Sequence, residues 1–324
     1  MSDDVPTRED VRHASERIGS YVRTTPVLEV AAGTFGVEAP LTLKLEMLQV
    51  TGSFKPRGAF NRMLSADVDE AGVVAASGGN FGLAVGHAAR ALGHRAEVFV
   101  PSTSPPEKID RVRDTGAGVR VVEGYYDEAS QAAVARQRHT GAVWMHPFDQ
   151  REVVAGQGTV GLELSVQVPD ADVVLVGVGG GGLIGGIASW FSGDVRVRGV
   201  EPETSCSLAT ALDRGGPTEV AVSGIAADSL GARRVGDISY EIARHHVEGV
   251  TLVSDESIRE AQRALWRDLH LFAEPGGAAA LAAVMTGAYR PAPGERTVVL
   301  ICGSNGDVAA VVNGQPPGLS RPRS

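Results

Sequence analysis

From residue 41 onward the chain repeats one pattern: a short apolar run, a glycine-bearing turn, then an amphipathic stretch. Apolar runs at 41–45, 73–76, 96–100, 119–122, 142–145, 173–178, 195–200, 251–253 and 297–301 read as strands. Helical spacing follows at 58–64, 81–92, 106–115, 127–140, 157–166 and 183–190. Strands that alternate with helices pair in parallel, because each crossover helix returns the chain to the same edge. The expected class is therefore α/β, with two domains of parallel sheet flanked by helices. The unit from 73 to 145 holds four strands and three helices, enough for a small domain set inside a larger one. The expected division is 1–66 with 148–311 as the large domain and 67–147 as the small one. Residues 312–324, with Pro316, Pro317 and Pro322, are expected to form a flexible tail.

Composition narrows what such a fold can do. The 30 basic and 39 acidic residues give a net charge of −9, and no basic run stands out. That argues against nucleic acid or an anionic membrane as partner. The apolar run 173–178 is far too short to span a bilayer. The start, Met1-Ser2-Asp3-Asp4, has neither the basic residues nor the apolar stretch of a secretory signal. Cys206 and Cys302 are too few for a disulfide framework, so a cytoplasmic enzyme is expected. Glycine is the informative excess, 41 residues against a usual share of about 7%. Many of them follow apolar strands, where backbone must approach something closely.

Three such places carry chemistry, and loops after the carboxyl ends of parallel strands are where ligands bind. The first is Thr51-Gly52-Ser53-Phe54-Lys55-Pro56-Arg57-Gly58-Ala59, with Pro56 suited to a first helical turn and Ser53 as its cap. A lysine held there, near other positive charge and apolar walls, loses its proton more readily and attacks an aldehyde better. A lone lysine is far more often a solvated surface group, so its company decides. The second is Gly177-Val178-Gly179-Gly180-Gly181-Gly182, between an apolar strand and a helix. Consecutive glycines let backbone amides wrap an anion at a helix N-terminus, whereas a plain tight turn needs only one or two. The same loop fits G-x-G-x-x-G at Gly177, Gly179 and Gly182, with Glu201 ending the next strand. An NAD-dependent oxidoreductase is thus a competing reading, although it leaves Lys55 and the third loop without a task. That third loop is Ser77-Gly78-Gly79-Asn80, whose amides suit a carboxylate; an asparagine cap with permissive glycines explains it as well. Cys302 follows the last strand and is either a buried structural cysteine or a partner for a ring nitrogen. No metal site is expected: the eight histidines lack paired helical spacing.

Taken together and in order, these segments resemble the fold-type-II pyridoxal-phosphate family, similar in fold to the tryptophan synthase β subunit. Within it they are most similar to the serine/threonine dehydratases and serine racemase. Ser53–Ala59 resembles the Schiff-base lysine segment, residues 77–80 the substrate loop, and residues 179–182 the phosphate loop. Ala155-Gly156-Gln157-Gly158-Thr159 and Ala273-Glu274-Pro275-Gly276-Gly277-Ala278 also match. The resemblance implies pyridoxal 5'-phosphate on Lys55, its phosphate on Gly179, Gly180, Gly181 and Gly182, Asn80 at its phenolic oxygen and Cys302 at its ring nitrogen. Ser77, Gly78, Gly79 and Asn80 would hold the substrate, with Gln157 and Glu274 as further candidates. The implied reaction is α,β-elimination from a 3-hydroxy amino acid, L-threonine or L-serine, to a 2-oxo acid and ammonia. A bulkier 3-hydroxy amino acid is an alternative. A homodimer is expected, without the regulatory domain of biosynthetic threonine deaminases.

Two positions depart from the family's patterns. Racemases carry an acid/base serine where this chain has Gly78, which has no proton to give, so serine racemase is disfavoured. Relatives that bind a divalent cation pair a glutamate with an aspartate six residues on. Glu201 fits the first, but Ser207 stands in the second place.

Overall fold

The computed structural model describes residues 4–312. Its ten strands are β1 (Val27–Val30), β2 (Leu41–Lys44), β3 (Val73–Ala76), β4 (Ala96–Pro101), β5 (Gly118–Val122), β6 (Val143–Met145), β7 (Val173–Gly177), β8 (Arg196–Pro202), β9 (Gly249–Val253) and β10 (Thr297–Leu300). They form two sheets. One has the order β1-β2-β10-β7-β8-β9 and the other β5-β4-β3-β6. Every pairing is parallel except β1 with β2. The four strands expected between 73 and 145 thus make a sheet of their own.

Alternation along the strands explains why helices cover both faces of the larger sheet. Val173 and Leu175 of β7 join a core with Leu41, Leu43, Val299 and Ile301. Val174 and Val176 point the other way, into a core with Val298, Leu300 and Ile184. Both faces being buried, the strand reads as a continuous apolar run with no polar alternation.

The helices relevant to the site are α1 (Arg8–Ile18), α2 (Pro56–Leu64), α3 (Asn80–Leu92), α4 (Pro106–Arg113), α5 (Tyr126–Thr140), α6 (Arg151–Gln167), α7 (Gly182–Phe191) and α8 (Ser207–Arg214). Three more follow: α9 (Ala227–Leu230), α10 (Asp237–His246) and α11 (Asp255–Leu269). The chain closes with α12 (Pro275–Met285) and α13 (Val308–Val312). Helix α6 begins six residues before the expected 157, at Arg151. Its glycines lower helix propensity but are needed for packing. A Cβ on Gly156 would lie 2.5 Å from the Arg57 carbonyl oxygen, and one on Gly158 would lie 2.8 Å from that of Gly186. Backbone therefore meets backbone where α6 crosses α2 on one side and α7 on the other. Helices α1, α8, α9, α10, α11, α12 and α13 and strand β1 were not among the expected elements. Val312, expected to begin the tail, ends α13, and the remaining tail residues lie outside the described ones.

Candidate active site

The carboxyl ends of both sheets open on one cleft of about 2360 Å³. Its lining includes Lys55, residues 77–80, residues 179–182, Gln157, Glu274 and Cys302, so the segments singled out in the sequence converge there. Ser53 pairs as a β-bridge with Gly303, which ties the lysine segment to the end of β10. Ser53 does not cap α2 as expected. Lys55 itself is the N-terminal flank of that helix, and no side chain caps it.

Lys55 is partly open to the cleft, and its Nζ donates to the Pro147 carbonyl at 3.1 Å. The amine sits 5.0 Å from the ring centre of Phe54 and 5.7 Å from that of Phe81. Burial lowers its pKa to about 8. The expected help from neighbouring positive charge is not what acts: Cys302 and Glu274, the other influences on it, push upward. Arg57, two residues on, is engaged elsewhere, with Glu46 at 2.8 and 2.7 Å and Glu163 at 2.7 Å. Desolvation by apolar walls is the physical cause.

The glycine loop is shaped by what covers it. The ring of Phe148 fills the space a Cβ on Gly180 would need, and Gly181 has φ +90°, which disfavours any side chain. Its carbonyls are tied down: Ser207 Oγ donates to Gly179 O at 3.1 Å and Gly236 N to Gly180 O at 3.1 Å. The first amides of α7 have no intrahelical acceptor and are available to an anion. Beside Gly181 lies the hydroxyl of Ser239, buried and without a hydrogen-bond partner. The amide of Gln157 is likewise buried and unpartnered at both its oxygen and its nitrogen.

Asn80 is the first residue of α3, and Gly79 holds the cap position. Its Nδ2 donates to Glu274 Oε1 at 2.5 Å, while its Oδ1 accepts from Asn305 Nδ2 at 2.7 Å. Asn305 in turn accepts from Arg111 of α4 at 2.6 Å. Burial raises the pKa of Glu274 and pushes the Cys302 thiol up to about 12, so the thiol stays neutral.

Sequence reasoning passed over the turn after β6. There His146 Nδ1 accepts the amides of Phe148 and Asp149 at 3.3 and 2.8 Å, and burial lowers its pKa to about 4. A neutral histidine thereby sets the turn that carries Pro147 to Lys55 and Phe148 to Gly180. Considering each histidine only as a metal ligand hid this structural task.

Glu201 is held inside the fold. It is fully buried, and its carboxylate accepts the amides of Leu208 and Ala209 at 2.8 and 2.9 Å, capping α8. Its carboxylate is thus taken up by backbone amides, which weakens the dinucleotide reading that set it on a ribose. Gly78 is closely covered. A Cβ there would collide with Ser104 Oγ and lie 2.9 Å from Ser104 Cβ, so the loop cannot take a side chain unless Ser104 moves.

Comparison with known proteins agrees with this arrangement. The family described as pyridoxal-phosphate dependent enzyme matches residues 18–303. An L-threonine ammonia-lyase of Thermotoga maritima is 36% identical over 307 residues, 93% of this chain and 76% of its own length. A phenylserine dehydratase of Ralstonia pickettii is also 36% identical, covering 90% of this chain and 91% of that one. Among solved structures, maize serine racemase superposes with a TM-score of 0.89 at 30% identity, over 96% of this chain and 97% of its own.

Proposed function

The chain belongs to the pyridoxal-phosphate dependent enzyme family, and within it we propose an ammonia-lyase that converts L-threonine or L-serine to the 2-oxo acid and ammonia. The observation that carries this is the desolvated amine of Lys55, facing a glycine loop suited to an anion across one cleft. The residues fit the cofactor. The orphaned Ser239 hydroxyl and the free first amides of α7 suit its phosphate. Lys55 suits its aldehyde, and the neutral Cys302 thiol suits an unprotonated ring nitrogen. Asn80, anchored by Glu274 and Asn305, suits the phenolic oxygen. The unpartnered Gln157 amide and residues 77–79 are assigned to the substrate.

Bound pyridoxal phosphate supplies an electron sink that makes the amino acid's Cα–H acidic. Lys55 would hold that group and, when its amine is free, would take the Cα proton as general base. Apolar walls make that amine give up its own proton more readily than a solvated lysine, its pKa falling to about 8. The amides of 77–79 orient the carboxylate, the β-hydroxyl leaves with a proton as water, and hydrolysis of the product imine consumes one water to give the oxo acid and ammonia.

Among the described residues no helix is long and apolar enough to cross a membrane. A homodimer in the cytoplasm, with residues 67–147 as the small domain, completes the proposal. The test is a panel of L-threonine, L-serine and L-threo-phenylserine, assayed for oxo acid and ammonia with the cofactor present. Turnover of threonine or serine is expected. Turnover of phenylserine alone would move the assignment to the bulkier substrate, and no turnover would overturn it.

A further inference from the structure

The hydroxyl of Ser104 lies in the cleft and has no task in the elimination. Its backbone is held on both sides. Its amide donates to the Pro101 carbonyl at 3.0 Å, and Pro105 follows it, which favours extended backbone at the residue before. Its Oγ makes no hydrogen bond among the described residues, and the residue lines the cleft beside Ser77, Gly78 and Gly79. The hydroxyl occupies the volume that a side chain at position 78 would fill, with Ser104 Cβ 2.9 Å and Val100 Cγ1 3.0 Å from a Cβ placed on Gly78. Lys55 enters the cleft from the segment bridged to the end of β10. Ser77 and Ser104 enter it from the carboxyl ends of β3 and β4, in the other sheet. A substrate between the sheets therefore has an amine on one side and a hydroxyl on the other.

We propose that Ser104 is the second proton donor of this site, delivering a proton to Cα from the side away from Lys55 and so giving racemisation alongside elimination. The inference rests on the ammonia-lyase reading and extends it. Lys55 Nζ takes the proton as the first Cα–H bond breaks, and Ser104 Oγ–H gives its own as the new Cα–H bond forms. Water in the cleft then returns a proton to Ser104 and accepts the one on Lys55. Nothing is oxidised or reduced, and the D-amino acid has the formula of the L-form.

Two measurements test this. In the first, the holoenzyme partly consumes L-serine, the remaining serine is resolved by chiral chromatography, and oxo acid is assayed in the same sample. D-Serine is expected from the unmodified enzyme. In Ser104→Ala the ratio of D-serine to oxo acid should fall about 100-fold, the lower range for loss of a positioned proton donor. The double variant Gly78→Ser with Ser104→Gly, which moves the hydroxyl to the other residue, should regain it. In the second, the cofactor-free protein is melted. Gly78→Ser alone should lower the melting temperature through overpacking, and adding Ser104→Gly should recover it. Oxo acid without D-serine, a ratio unchanged in Ser104→Ala, or a Gly78→Ser protein that melts like the parent would each overturn the proposal. Ser104-dependent D-serine without oxo acid would support it and overturn the ammonia-lyase reading instead.

Discussion

Lys44 and Lys55 are close in sequence, and both hold their amines away from bulk water, yet their surroundings differ in kind. Lys44, at the end of β2 in the larger sheet, donates to Glu163 at 2.6 Å, Gln167 at 2.8 Å and the Thr25 carbonyl at 2.8 Å. Glu163 is shared with Arg57, which also pairs with Glu46, so the cluster is charged and paired throughout. Burial still lowers the Lys44 pKa, but Glu46 and Glu163 oppose it. Lys55 has a carbonyl at 3.1 Å and two aromatic rings, with no carboxylate in hydrogen-bond reach among the described residues. Pairing makes a buried lysine part of the scaffold. Withholding the partner makes it reactive, at a cost to the stability of the cofactor-free protein.

Substitution by methionine should separate the two. Lys55→Met is expected to reduce oxo-acid formation by more than about a thousandfold, because it removes both the attachment point and the base. A folded Lys44→Met enzyme that loses as much would break the comparison. In urea unfolding, Lys44→Met should destabilise the protein by about 3–5 kcal/mol, the usual result of stripping one partner from a buried charge cluster. A loss below about 1 kcal/mol would mean that the cluster is hydrated and no different from a surface one.

The smallest effect has the opposite sign. Cofactor-free Lys55→Met should be more stable than its parent at pH 7 by about 1–3 kcal/mol, from a pKa moved from 10.5 to about 8 and discounted for partial exposure. Because the folded-state value is the lower one, the unfolded chain binds more protons between pH 8 and 10.5. The parent therefore gains stability as pH rises through that window, and the variant's advantage should shrink towards zero near its upper end. A constant advantage from pH 7 to 10 would assign the gain to packing alone.

Much of this was legible in the sequence because apolar periodicity and glycine placement are local signals. The strand 73–76 has the expected bounds, and the tetraglycine loop opens a helix after a fully apolar strand, as its residues implied. What escaped depends on contacts distant in the chain. Strand β1 is a partly exposed antiparallel edge, outside the logic of parallel crossovers. Helix α11 did carry a signal, with Ile258, Ala261 and Leu265 on one buried face and Ser254 as cap, but no chemical motif drew attention to it. The start of α6 escaped because glycine at 156 and 158 weakens a local helix signal, while the need for it lies in α2 and α7, distant in the chain. The hydroxyl of Ser104 beside Gly78 joins the ends of two neighbouring strands, a proximity no reading along the chain supplies.

The two glycine crossings of α6 have an evolutionary consequence. The chain that presents the amine and the helix that opens at the anion loop are both docked on α6 through bare backbone, at Gly156 and at Gly158. Their separation cannot drift by trading one side chain for another of different bulk, as ordinary helix packing allows. Divergence towards a new substrate is channelled to the opposite wall, where the residues beside Gly78 are side chains and can be exchanged. One wall of the cleft is inherited as a fixed gauge, and the other is where lineages can differ.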